Sequence, residues 1–284
     1  MTSFTNQATL RYNGLTVSSN TVTGQLISPL TLTKTAGEDA YAPGDTLSYV
    51  ISVVNDGSVS YDGLTLTDDL GGYPVGDGTA YPLAYVADSV RFFINGVLQN
   101  APAVTPGGPL TVTGLSVPAG GSAMLVYETE VTAAAPLLAG SVITNTAILS
   151  GPGLNTPLEA QATVAVETGA ELSVVKSLFP ATVAQDGQLT YTFLIQNRGN
   201  EAAGAESNVA VSDLFDPILK NVTVALNGQS LALTTDYSYS ETTGQFDTVP
   251  GRITVPAATY AQTASDGDWI TTPGEATLTV TGTV

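Results

Sequence analysis

The heptapeptide Ile143-Thr144-Asn145-Thr146-Ala147-Ile148-Leu149 has a near copy, Phe4-Thr5-Asn6-Gln7-Ala8-Thr9-Leu10, close to the start of the chain. The segments that follow the two copies also correspond. After Asn6 come Leu30-Thr31-Leu32-Thr33-Lys34, then Leu47-Ser48-Tyr49-Val50-Ile51-Ser52-Val53 ahead of Asn55-Asp56-Gly57, then Leu64-Thr65-Leu66-Thr67-Asp68. After Asn145 come Leu172-Ser173-Val174-Val175-Lys176, then Leu189-Thr190-Tyr191-Thr192-Phe193-Leu194-Ile195 ahead of Asn197-Arg198-Gly199, then Val209-Ala210-Val211-Ser212-Asp213. A repeat of about a domain's length sets the architecture before any single motif is weighed.

The repeat divides the 284 residues into an N-terminal segment 1–27, a complete unit 28–168 and a second unit 169–284. Hydrophobic content of 43% with 11% charged residues marks a folded chain, and its many Thr, Val, Gly and Pro residues favour strands. Alternation with period two puts Leu47, Tyr49, Ile51 and Val53 on one face and Thr46, Ser48 and Ser52 on the other. Turn signals such as Pro106-Gly107-Gly108, Pro118-Ala119-Gly120-Gly121 and Pro273-Gly274 break the chain into short strands. The expected fold is all-β, two tandem immunoglobulin-like β-sandwiches.

The two units differ at their ends. Gly274 to Val284 matches Gly121 to Val131, after which the first unit continues into a closing hairpin built from the Asn145 strand and Ala160-Gln161-Ala162-Thr163-Val164-Ala165-Val166. Nothing in 169–284 corresponds to that hairpin, whereas residues 1–27 resemble it. The second unit is therefore expected to be incomplete, with an open groove and unpaired edges, and to be closed by the N-terminal donor hairpin of another copy. Closure within one chain is the geometric rival, and it requires the two units to double over against each other.

Composition excludes several functions. The chain has 25 acidic and 7 basic residues, a net charge of -18, so it offers no basic stripe for nucleic acid. It has no cysteine and no histidine, which removes disulfides, thiolate chemistry and the usual general base. No cofactor and no metal site is expected. Met1 to Gly14 shows neither a basic leader nor an apolar core, so no signal peptide is visible in this numbering. The small apolar run Ala133 to Ile143 is broken by Pro136 and Gly140 and is too short for a membrane span.

Polar residues on inward faces carry the chemistry. The three lysines are Lys34, Lys176 and Lys220. Alternation puts Lys34 with Leu30 and Leu32, Lys176 with Leu172 and Val174, Asp68 with Leu64 and Leu66, and Asp213 with Val209 and Val211. It puts Asn145 with Ile143, Ala147 and Leu149, and Asn6 with Phe4, Ala8 and Leu10. Buried charge is costly unless paired, and two readings meet that cost. One is a salt bridge with an asparagine satisfying leftover groups. The other is a spontaneous isopeptide bond: a lysine that loses its charge in an apolar core becomes a nucleophile, an inward carboxylic acid protonates the asparagine carboxamide and shuttles protons, and ammonia leaves.

Through Leu32-Thr33-Lys34, Thr67-Asp68 and Ile143-Thr144-Asn145-Thr146-Ala147, and through Val175-Lys176 and Ser212-Asp213, the chain resembles the bacterial "conserved repeat domain" surface proteins and the isopeptide-bearing stalk domains of Gram-positive adhesins and pili. The resemblance implies Lys34 as nucleophile, Asn145 as acceptor and Asp68 as proton shuttle within one unit. It implies Lys176 and Asp213 in those roles in the other, with Asn6 of a second copy as the intermolecular acceptor. Glu128 is a rival acid, but it lies on the face opposite Leu125, Tyr127 and Val131, and its counterpart is Thr281. Asp68, Asp69 and Asp77 lack a calcium-loop pattern, Gly107-Gly108 and Gly120-Gly121 are not phosphate loops, and Trp269 is a weaker candidate for a sugar platform than for packing.

The expected function is that of a structural subunit of an extracellular filament, a pilus-like surface appendage on a cell or spore, polymerising head to tail with copies of itself by donor-strand complementation. The alternative is a monomeric cell-surface adhesin or binding module. Enzyme activity is not expected beyond self-directed, single-turnover isopeptide formation. The identity of any host or matrix ligand is not legible.

Overall fold

The computed structural model describes residues 2–26 and 29–284. At the N-terminus β1 (Thr2–Asn6), β2 (Thr9–Tyr12), β3 (Leu15–Ser18) and β4 (Val22–Leu26) form one antiparallel hairpin, with β1 on β4 and β2 on β3. Its tip is Asn13-Gly14, both at positive φ, as a tight hairpin turn requires. Within the hairpin Ser19 Oγ accepts from the Ala8 amide at 2.9 Å, stitching the two ribbons where their registers shift by one residue.

The first sandwich contains β5 (Leu30–Ala36), β6 (Ala40–Tyr41), β7 (Thr46–Asn55), β8 (Tyr61–Asp68), β9 (Tyr73–Val75), β10 (Gly78–Ala80), β11 (Leu83–Tyr85), β12 (Arg91–Ile94), β13 (Val97–Leu98), β14 (Ala103–Thr105), β15 (Leu110–Val117), β16 (Ser122–Val131), β17 (Val142–Ser150) and β18 (Leu158–Val166). One sheet runs β13-β12-β16-β7-β5 and the other β14-β15-β8-β17-β18-β6. The alternation expected for Leu47 to Val53 is observed: these residues are buried and meet Leu64, Leu66, Leu110, Val112, Ile143 and Leu149 from the facing sheet in one core. Inward residues at every second position make a sandwich because each sheet hides its apolar face only against the other.

The second sandwich contains β19 (Leu172–Phe179), β20 (Gln188–Asn197), β21 (Ser212–Leu214), β22 (Lys220–Leu226), β23 (Gln229–Ser230), β24 (Tyr237–Tyr239), β25 (Gln245–Thr248), β26 (Thr259–Gln262), β27 (Trp269–Thr272) and β28 (Gly274–Thr283). Its main sheet, β19-β20-β28-β22-β23, repeats the order β5-β7-β16-β12-β13 strand for strand. Registers agree as well: Tyr49 faces Tyr127 and Tyr191 faces Val280. A separate core holds Leu189, Tyr191, Phe193, Phe215, Phe246, Leu278 and Val280.

The second sheet does not repeat in full. In the first sandwich β8 lies between β15 and β17, while its counterpart β21 pairs only with β25, in a three-stranded sheet β21-β25-β24. The strand expected over Val209 to Asp213 is correspondingly short. Only Ser212–Leu214 is strand, because the chain arrives through a 3-10 turn at Ala205–Ser207 capped by left-handed Asn208 and has a neighbour on one side only. The lysines are not the last residues of their strands either, since β5 runs on to Ala36 and β19 to Phe179. No helix among the described residues is long and apolar enough to cross a membrane.

Candidate functional site

In the first sandwich the repeat brings Lys34, Asp68 and Asn145 into one buried cluster. Lys34 Nζ donates to Asp68 Oδ2 at 2.6 Å, with side-chain exposures of 0% and 1%. Asp68 Oδ1 accepts from the Leu70 amide at 3.0 Å, and Tyr127 donates its hydroxyl proton to Asp68 Oδ2. Asn145, fully buried, donates from Nδ2 to the Tyr127 oxygen at 3.5 Å. Its carboxamide oxygen and the hydroxyl of Tyr49 are both buried and make no hydrogen bond among the described residues.

Each position follows from strand pairing. Asp68 on β8 lies between Leu110 on β15 and Ala147 on β17, and Asn145 is two residues from Ala147, hence on the same inward face. Lys34 enters from the opposite sheet through β5, its Nζ 4.9 Å from the centre of the Tyr49 ring, which stacks on Tyr127 at 5.6 Å. Burial pulls the Lys34 ammonium below the ordinary lysine value, more strongly than the Asp68 carboxylate raises it. Burial and the neighbouring Asp68 charge push the Tyr127 phenol well up, so it keeps its proton. The cluster thus holds an amine with weakened hold on its proton, a carboxyl group, a protonated phenol and a carboxamide, all buried.

The counterpart in the second sandwich has the same two charged groups without the cover. Lys176 donates to Asp213 Oδ2, with side-chain exposures of 40% and 18%. Its Nζ lies 4.5 Å from the Tyr191 ring centre and 5.4 Å from that of Phe215. The pair points inward, as alternation requires, onto a core that is open at this place. Leu30 is 4% exposed, while its equivalent Leu172 is 40% exposed. Val174 and Val175 are exposed too, and Phe179 at the end of the strand is 79% exposed. Every residue of β19 is accessible, because within residues 169–284 no strand takes the place that β17 and β18 hold against β8 and β5.

Asn6 is far from this cluster in sequence and exposed in the N-terminal hairpin. That hairpin pairs with no other strand of the described residues. Phe4, Leu10, Tyr12, Leu15, Val17 and Val22 are all half exposed or more. Phe4 lies across Gly24 of the opposite strand, where any Cβ would overlap its ring. The apolar alternation read from the sequence is therefore present, but on a ribbon with nothing against it.

The weaker candidates have structural employment. Asp69 Oδ1 accepts from the Gly71 amide at 2.9 Å and the Thr146 amide at 2.8 Å. Glu128 is exposed. Trp269 belongs to the β26–β27 hairpin, which stands where the first sandwich has the Pro118–Gly121 turn. The equivalence is fixed by Asn55 Nδ2 donating to Pro118 O at 2.9 Å and Asn197 Nδ2 donating to Pro256 O at 3.0 Å. This hairpin reaches the first sandwich: the Trp269 amide donates to Ala133 O at 2.9 Å, and Gln262 Nε2 donates to the Tyr73 hydroxyl oxygen at 2.6 Å. The role of Tyr127 went unread in the sequence, where it counted only as an apolar inward residue. A signal was present, since a buried tyrosine hydroxyl needs a partner and Tyr127 is a place where the repeat departs from itself, its counterpart in the second unit being Val280.

No protein-family model matches the chain, and no curated protein matches it in sequence. Among solved structures it is similar to the collagen-binding subdomain ACE19 of the Enterococcus faecalis surface protein ACE. That match has 9% identity and a TM-score of 0.32, over 50% of this chain and 99% of that one. It is similar to the pilus backbone RrgB of Streptococcus pneumoniae at 12% identity and a TM-score of 0.36, over 87% of this chain and 55% of that one. It is also similar to BcpA, the major pilin subunit of Bacillus cereus, at 15% identity and a TM-score of 0.36, over 96% of this chain and 73% of that one.

Proposed function

We propose that the protein is a structural subunit of an extracellular filament, joined head to tail by insertion of the N-terminal hairpin of one copy into the second sandwich of the next. The observation that carries this reading is one of complementarity. The second sandwich leaves uncovered the edge of β21 and the whole of β19, and the chain also presents an unpaired ribbon with the residue pattern of the hairpin that covers those places in the first sandwich.

The proposed docked register follows that of the repeat. Ala147 pairs with Asp68, Ile148 with Thr67 and Leu149 with Leu66, so Ala8 is assigned to Asp213, Thr9 to Ser212 and Leu10 to Val211. Asn145 faces Ala162 on its partner strand, and Asn6 faces Val22. Phe4, Ala8, Leu10 and Val22 then fill the core above β19. Burying such side chains stabilises by roughly 1.5–3 kcal/mol for each large one, and the strand edge supplies backbone hydrogen bonds besides. A contact of this kind is heterologous and repeats without closing, which yields a fibre.

Docking brings Asn6 toward Lys176 and Asp213, at the position that Asn145, linked to Asp68 through the Tyr127 hydroxyl, holds in the first sandwich. In both places Lys Nζ attacks Asn Cγ, the carboxyl group shuttles the proton, ammonia leaves, and an amide remains. The reading gives the chain no external substrate, and its chemistry is directed at itself once per site. Negative-stain microscopy tests the assembly: the full chain should form filaments and the chain lacking residues 1–27 should stay as separate subunits. Filaments of the truncated chain would refute strand donation.

A further inference from the structure

One feature of the first cluster has no equivalent in the second. Tyr127 connects Asn145 to Asp68: the carboxamide Nδ2 donates to the phenol oxygen at 3.5 Å and the phenol donates onward to Asp68 Oδ2, the oxygen that also accepts from Lys34. In the second sandwich Tyr127 is replaced by Val280, which occupies the same register against Tyr191. The ring volume is conserved by exchange. Leu70, two residues after Asp68, corresponds to Phe215, two residues after Asp213, and Phe215 stacks on Tyr191 at 4.7 Å as Tyr127 stacks on Tyr49. One sandwich has Tyr with Leu, the other Val with Phe, so packing alone is satisfied in both. What the second lacks is the hydroxyl.

We infer that Tyr127 is a catalytic residue of the intramolecular bond, relaying a proton from Asp68 to the leaving nitrogen of Asn145, and that the second sandwich works without such a relay. The inference rests on the isopeptide reading proposed above. Transfer of the lysine proton to Asp68 leaves Nζ with a lone pair, which attacks Asn145 Cγ. The Nζ–Cγ bond forms, and the carboxamide oxygen, which has no donor in the resting cluster, takes the Asp68 proton. The tetrahedral adduct returns a proton from Nζ to Asp68. As the Cγ–Nδ2 bond breaks, Tyr127 gives its hydroxyl proton to Nδ2 and recovers one from Asp68, while the carbonyl re-forms with release of its own proton to the Asp68 carboxylate. Overall one amine hydrogen and one NH2 group leave as ammonia, and Tyr127 is restored. A raised phenol pKa suits this role, because the group transfers its proton only in concert with gaining another.

The relay explains an asymmetry in what the two sites must do. The first bond closes a preassembled core in one chain. The second has to await a partner strand, and its reaction without a relay is slower, so that a docked hairpin can dissociate and exchange before it is fixed. The second sandwich's use of Phe215 to fill the ring space keeps that site shaped for Asn6 while lacking the phenol.

The test uses the full chain carrying Asn6→Ala, so that ammonia loss reports the first sandwich alone. The chain is made by cell-free synthesis, quenched in acid over time and weighed intact. With Tyr127 present each chain should lose one ammonia; with Tyr127→Phe the loss should be about a hundredfold slower, at unchanged near-ultraviolet dichroism. Equal rates in a folded variant would overturn the relay, whereas no ammonia loss in the parent would overturn the isopeptide reading itself. If Tyr127→Phe does not fold, the reverse transplant decides: Val280→Tyr with Phe215→Leu, in the chain with Asn6 intact, should quicken covalent joining of subunits tenfold or more. An unchanged joining rate with correct folding would overturn the relay.

Discussion

Lys34 and Asp68 meet at 2.6 Å with both side chains withdrawn from solvent, while the corresponding Lys176 and Asp213 meet in an open groove. The pairing is the same and its surroundings differ, because the first pair is covered by β17 and β18 and the second is not. One inward lysine and one inward aspartate thus occur twice, once covered and once exposed.

The buried pair should behave as mutually dependent charges in a chain that cannot form the amide, such as Asn145→Ala. Removing one partner leaves an uncompensated charge, whereas removing both leaves an apolar core. In that background Asp68→Leu alone should cost about 3–5 kcal/mol, and Lys34→Met with Asp68→Leu should recover most of the loss. Urea denaturation of the first sandwich checks this. A double variant no more stable than the single one would mean that the two groups do not depend on each other.

Stability of the same Asn145→Ala chain should change with pH in a defined direction. Burial lowers the Lys34 value below 10.5 in the folded state, so between the folded value and 10.5 the unfolded chain binds more protons than the folded one. The stabilisation is complete above the unfolded value and is lost as pH falls through the folded one. Unfolding free energy should therefore rise with pH on approach to 10.5, and the rise should vanish in Lys34→Met. A fall over that interval would mean that the folded core holds the charged lysine more tightly than water does.

The groove of the second sandwich should accept residues 1–27 supplied as a peptide. Binding to the chain lacking 1–27 is expected to displace an apolar dye from the exposed β19 surface. Phe4→Asp in the peptide should abolish the effect by placing a charge where an apolar core is required. Displacement unaffected by Phe4→Asp would contradict the docked register.

Much of the fold was legible in the sequence, for identifiable reasons. Period-two alternation around Tyr49 and Tyr191 foretold the inward faces, because a strand's side-chain direction is settled by local geometry. That Lys34, Asp68 and Asn145 converge is legible because all three lie on the apolar faces of strands that the repeat singles out. The short strand at Ser212–Leu214 was not legible, since an apolar pattern over Val209 to Asp213 becomes strand only where a neighbouring edge pairs with it, and β21 has such an edge on one side only. The link from Tyr127 to Asp68 depends on register across two sheets, which no local pattern carries. The contact of the β26–β27 hairpin with Tyr73 and Ala133 is likewise a tertiary result, made by a segment without a counterpart in the first unit.

The most direct measurement is mass spectrometry of filaments boiled in detergent, separated as a ladder and digested. Strand donation with covalent closure requires a branched peptide joining Lys176 of one copy to Asn6 of another, lighter than its two parts by one ammonia, and its loss together with the ladder in Asn6→Ala. Complete conversion of the wild-type filament to monomer on denaturation, with Lys176 and Asn6 both recovered unmodified, would contradict it.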